Sequence, residues 1–163
     1  MKVEITHPQT KEVILISAED VDIDDLKAQF EPLLSEKKLR DIIDTLNIPA
    51  EAKVLLSQFF DYSIQIGTVV LEVGKKIIEV IRVLINKYPN ISAGLVVGTV
   101  IGLLLSSIPV LGWLLGWLLM PLFAALGLAL GAWKEFGNSD LGKAVEDLTN
   151  TIFAGLKKIQ VQA

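Results

Sequence analysis

The 163-residue sequence contains no cysteine and one histidine, His7. Without thiols there is no disulfide, no thiolate nucleophile and no cysteine-based metal centre. A lone histidine beside Pro8 builds neither a histidine-rich metal site nor a histidine-dependent triad. Glycine-rich phosphate loops and nucleophile elbows are also missing, so neither enzymatic activity nor a cofactor is expected. Basic charge is scarce: 15 Lys and Arg stand against 19 Asp and Glu, for a net charge of -4 and a pI near 5.0. Phosphate contacts need a basic surface, so nucleic acid is not an expected partner. Residues 1–8 carry no apolar run of the signal-peptide kind, so the apolar part of the chain is expected to be internal and retained.

The largest absence lies in the middle of the chain. Residues 88–133 contain no Asp, Glu, Lys, Arg or His. This explains how 52% hydrophobic residues and a mean hydropathy of +0.53 coexist with 21% charged residues: the charge is confined to the flanks. The length suits a single unit carrying a specialised segment.

Hydrophobic periodicity divides the chain into four regions and predicts a mainly α protein. Residues 1–48 read as an N-terminal β-hairpin followed by short helices, on the cytosolic side. Val3 and Ile5 precede a turn at residues 7–10 and Val13, Ile14, Leu15 and Ile16 follow it. Ser35 is placed to cap a helix bearing Leu39, Ile42, Ile43 and Leu46 on one face. Residues 49–90 read as one long amphipathic helix opened by Asn47 and Pro49, with Gly67 and Gly74 as weak points. Residues 91–133 read as a two-helix transmembrane hairpin. Residues 134–163 read as a C-terminal amphipathic helix with Leu141, Val145, Leu148, Ile152, Leu156 and Ile159 on its stripe.

Within the hairpin, Pro109 disfavours helix at the preceding residue, which sets the turn at residues 106–109. The limbs are then about 25 Å and 37 Å long, against a hydrocarbon core of roughly 30 Å. Small residues recur every fourth position: Gly94, Gly98 and Gly102 in the first limb, Gly112 and Gly116 after the turn, and Gly127 and Gly131 near the exit. In lipid, close backbone approach over small residues is a main source of helix association. These faces suit packing within one hairpin and packing between subunits alike. Trp113, Trp117 and Trp133 sit where amphipathic rings anchor at headgroup level, or alternatively fill a helix interface. Lys87 and Lys134 flank the apolar stretch, and with Lys75, Lys76, Arg82 and Lys143 they put positive charge at both ends. The positive-inside rule then sets both termini on the cytoplasmic side of an inner or plasma membrane.

Asp61, isolated among aromatic and aliphatic neighbours, is a candidate pore-lining or gating carboxylate, against the simpler reading of a water-facing residue. Asp20, Asp22, Asp24 and Glu31 match several offsets of a calcium-binding loop. However, Asp25 stands where the sharp turn needs glycine, and helix capping is the preferred reading; no metal is expected.

Amphipathic helices surrounding a long uncharged hairpin, over residues 49–160, resemble the plan of colicin-type pore-forming domains. The resemblance is architectural and implies a protein that permeabilises or depolarises a membrane, with the lipid bilayer and further copies of itself as partners. Compared with such domains the chain has few outer helices, so lasting membrane residence or oligomeric burial of the hairpin is expected. The alternative is a non-conducting membrane-anchored adaptor, its hairpin tethering residues 1–48 to protein partners.

Overall fold

The computed structural model describes residues 2–6, 13–17, 23–30, 34–66, 69–128 and 139–157. The fold is mainly helical. At the N-terminus β1 (Lys2–Thr6) pairs antiparallel with β2 (Val13–Ser17), Lys2 opposite Ser17 and Thr6 opposite Val13. Next come α1 (Ile23–Phe30) and α2 (Glu36–Thr45). Ser35 caps α2 as its sequence position predicts, its hydroxyl accepting from the Lys38 N–H at 3.3 Å.

The long helix expected over 49–90 is not continuous. It is broken into α3 (Ala50–Phe60), an antiparallel pair of short strands, β3 (Ile64–Ile66) and β4 (Val69–Leu71), and α4 (Val73–Lys87). The physical reason is visible in the side chains: Ile64, Ile66, Val69 and Val70 are β-branched and favour a pleated backbone. Only Gly67 and Thr68 separate the two strands in sequence, the length of a tight hairpin connection. Pro49, rather than Asn47, occupies the N-cap of α3, and no side chain caps that helix. Gly74 then lets α4 start hard against α3. A Cβ there would overlap the Phe59 carbonyl, and the Gly74 N–H donates to the Tyr62 carbonyl at 3.0 Å.

The uncharged stretch begins with α5 (Ala93–Ser107), capped by Ser92, whose hydroxyl accepts from the Leu95 N–H at 3.3 Å. Ile108 alone separates α5 from α6 (Pro109–Leu115), which has proline in its first turn. A 3-10 turn over Gly116–Leu118 leads into α7 (Leu119–Leu126). The C-terminal helix is likewise split, into α8 (Asp140–Thr151) and α9 (Ala154–Lys157).

α5 is the central element, packed against α4, α6, α7 and α8. Val96, Val97, Val100, Ile101 and Leu104 are fully buried along it. One chain therefore encloses the middle of the first limb with its own helices, whereas the hairpin as a whole, which the sequence has few outer helices to cover, is not fully enclosed. A helix apolar on all sides finds its stable place in the middle of the fold. Around it, α2, α3 and α4 pack together, α3 also meets α7, and α9 meets α1, where the Phe30 and Phe153 rings stand edge-to-face at 5.6 Å.

A polar tie sits inside this shell. Lys76, only 6% exposed, pairs with Glu79 at 2.9 Å, and the second carboxylate oxygen of Glu79 accepts from the Leu34 N–H at 3.2 Å. Lys76 therefore does not belong to the positive surface assigned to the hairpin's flank.

Candidate functional site

The hairpin is the feature with the clearest physical demand on its surroundings. Its limbs run antiparallel: Gly112 of α6 lies against Leu105 of α5, while Gly98 lies against Phe123, Leu126 and Leu128 at the far end. The turn is closed by the Gly112 N–H donating to the Ile108 carbonyl at 3.0 Å and by the Ser106 hydroxyl donating to the Leu103 carbonyl at 3.1 Å. This is the reversal that Pro109 predicts.

The glycines separate by local role. At Gly112 a Cβ would stand 2.6 Å from the Leu105 carbonyl oxygen, so the turn requires glycine there. Gly98 faces the Leu128 side chain, and Gly94 has ordinary room beside Leu126. Gly102 is buried within α5. Gly116 meets nothing within 4 Å. Gly127 does not continue a helical stripe. With φ of 72° it ends α7, its own N–H donating to Ala124 and the Leu128 N–H reaching back to Phe123 at 2.9 Å, a Schellman cap. Gly131, Trp133 and Lys134 lie outside the described residues.

The second limb is less enclosed than the first. Pro109–Leu126 is the one segment among the described residues with the length and apolarity to cross a bilayer, and 39% of it is buried. α5, at 15 residues, falls short of the roughly 20 a crossing needs. Length and composition thus single out one segment rather than two, and the two-helix crossing predicted for residues 91–133 is not seen. Trp113 and Trp117 are half-exposed along the second limb. The Trp117 indole N–H donates to the Leu114 carbonyl at 3.1 Å, and its ring meets Tyr62 edge-on at 6.5 Å.

Tyr62 links this limb to the shell. Burial, and secondarily the neighbouring Asp61 carboxylate, raises its phenol above the usual value of 10.0. Tyr62, Ile64 and Val73 on the shell side and Leu111, Leu114 and Leu115 on the limb line a cavity of about 40 Å³. Asp61 itself lies at the surface, its side chain 70% exposed, 3.7 Å from Arg40. A pair this exposed contributes little to stability. Lys87 is exposed at the end of α4, its ammonium 5.6 Å from the Tyr88 ring centroid. The Tyr88 hydroxyl donates to the Asp140 carbonyl at 3.1 Å, joining the end of α4 to the start of α8.

Sequence reasoning missed Tyr62 and the Lys76–Glu79 pair. For Tyr62 the available signal was an aromatic residue directly after a helix end and before a β-branched run. No His, Cys, Asp and Glu grouping fit to hold a metal ion occurs among the described residues. Comparison with known proteins returns no family model, no curated protein and no solved structure that matches the chain. No comparison supports the resemblance to colicin-type pore-forming domains drawn from the sequence pattern.

Proposed function

We propose that the protein acts at a lipid bilayer: it folds with its apolar hairpin packed against its own helices, delivers that hairpin into the membrane and, as an oligomer, permeabilises or depolarises it. The observation that carries this reading is an 18-residue apolar segment, Pro109–Leu126, of which 39% is buried and which exposes Pro109, Met120, Pro121 and Ala124 beside a more enclosed apolar helix. A protein that stays in water gains nothing from so large an uncharged surface. Apolar side chains and a backbone bonded within its helices are what hydrocarbon accepts. The open face at Gly116 supports subunit contact, since no side chain among the described residues comes within 4 Å of a Cβ built there. An inner or plasma membrane with both termini cytoplasmic is the orientation that Lys and Arg on both sides of the uncharged stretch favour in the sequence.

The second reading is a non-conducting anchor that holds residues 1–48 for protein partners. It is favoured by the position of Asp61: exposed on the outside of the shell, it gives no polar lining to the uncharged limbs.

Purified protein added to liposomes of phosphatidylcholine and phosphatidylglycerol tests both. Release of entrapped dye, with a mass of several chains in detergent, is the expected result. Stable insertion without conductance, including under applied voltage, would establish the anchor instead. Failure to associate with vesicles at all would end both readings.

A further inference from the structure

We infer that the outer face of the second limb is the surface on which the folded protein first seats on a bilayer, while the first limb is still enclosed. The inference rests on the reading of the protein as one that acts at a membrane, and it adds which surface leads and in what order.

Pro109, Trp113, Trp117, Met120, Pro121 and Ala124 recur at helical spacing and are exposed or half-exposed. Between them Val110, Leu111, Leu114, Leu118 and Leu122 turn inward and are buried. Met120, at 66%, is the most exposed large hydrophobic side chain among the described residues. The face follows a segment of 18 residues, about 27 Å at 1.5 Å per residue, and is uncharged from end to end.

Its chemistry favours lipid over a protein. Protein interfaces carry about one hydrogen bond per 100–200 Å² to fix register. Here Pro109 and Pro121 have no N–H, and the Trp117 indole is spent on the Leu114 carbonyl. Apart from the Trp113 indole, the remaining side chains are hydrocarbon or thioether. Acyl chains ask for no polar partner, and indole rings suit the zone beneath the headgroups.

The order follows from the asymmetry of the limbs. Val96, Val97, Val100, Ile101 and Leu104 of α5 are at 0% exposure, so the middle of α5 meets lipid only once its shell opens, although Ser106 and Ser107 at its end are exposed. The second limb already presents Pro109, Met120, Pro121 and Ala124 to the outside. Its inner side also borders the 40 Å³ cavity, so the shell does not close fully on Leu111, Leu114 and Leu115.

The cysteine-free chain permits a direct test with single-cysteine variants Met120→Cys and Ser107→Cys, each carrying a polarity-sensitive NBD label. They are mixed with phosphatidylcholine–phosphatidylglycerol vesicles containing brominated acyl chains. The expected result is a blue shift and bromine quenching at position 120 before dye release begins, with the label at position 107 still reduced by dithionite at its rate in water. Met120→Asp and Ala124→Asp should weaken vesicle partition roughly tenfold while leaving the far-UV spectrum and thermal midpoint unchanged. Dye release with the position 120 label still in water would overturn the inference and leave permeabilisation standing. Burial at position 107 first would overturn it in favour of entry by the turn. Burial at position 120 without vesicles, accompanied by a doubled mass in sedimentation, would overturn it in favour of a second copy. Seating at position 120 without dye release would support the inference and count against permeabilisation.

Discussion

In α5 nine of 15 residues are buried, whereas in Pro109–Leu126 only 39% are, although neither segment carries a charge. Composition therefore did not decide which limb is enclosed; position in the fold did. α5 is packed against α4, α6, α7 and α8, while the second limb has α3, α5 and α9 behind it and leaves Met120 exposed. Backbone regularity differs in the same direction. α5 is one unbroken helix, whereas the second limb contains Pro109, Pro121 and a 3-10 turn at Gly116–Leu118. The regular limb serves as the core and the irregular one as the outer surface.

The contrast is sharpest under a buried charge. Val100→Asp would place a carboxylate where exposure is 0%, at a cost of about 4 kcal/mol or more, and should leave no cooperative thermal transition. The same charge at Met120 should move the midpoint by no more than about 2 °C. Equal destabilisation at both sites would dissolve the distinction between the limbs.

A smaller effect separates two glycines that the sequence alone leaves equivalent. Gly112→Ala drives a methyl to 2.6 Å from the Leu105 carbonyl oxygen and should destabilise by about 2 kcal/mol in chemical denaturation. Gly116→Ala has open space and should be neutral or stabilise by about 0.5–1 kcal/mol. Smaller oligomers from Gly116→Leu with unchanged monomer stability would show that this face belongs to a subunit contact.

The smallest effect concerns the joint between shell and second limb. Tyr62 has a folded pKa above its unfolded value of 10.0, so its neutral phenol is favoured in the fold. Its contribution is fully present below about pH 10 and is lost as pH rises from there through the folded value. Tyr62→Phe should remove that part of the alkaline loss of stability, seen by comparing denaturation midpoints at pH 8 and pH 11.

How much of this was legible depended on how local the cause was. Loss of charge over 88–133, the turn at Pro109 and the cap at Ser35 act through neighbouring residues, and the sequence exposes them. The β3–β4 pair was masked because an apolar run reads equally as helix or strand; the β-branched Ile64, Ile66, Val69 and Val70 around Gly67-Thr68 carried the distinction. Gly127 followed the four-residue spacing of the other glycines, yet ends a helix by its positive φ. The Lys76–Glu79 pair looks like an ordinary exposed i,i+3 pair until Leu34, 45 residues away from Glu79, comes to rest against it. Which limb is enclosed is a property of the assembled helices, which no local pattern contains.

Ile108, the single residue between α5 and α6, has a kinetic consequence. Bringing two helices back upon each other costs loop-closure entropy, and with Ile108 alone between them that cost is already met in the fold. Under the proposed function the reversal is carried ready-made to lipid, and the ceiling on the rate of insertion would be the opening of α4 and α8 away from α5. Opening of that kind is unimolecular and steeply temperature-dependent, and adding more lipid does not hurry it.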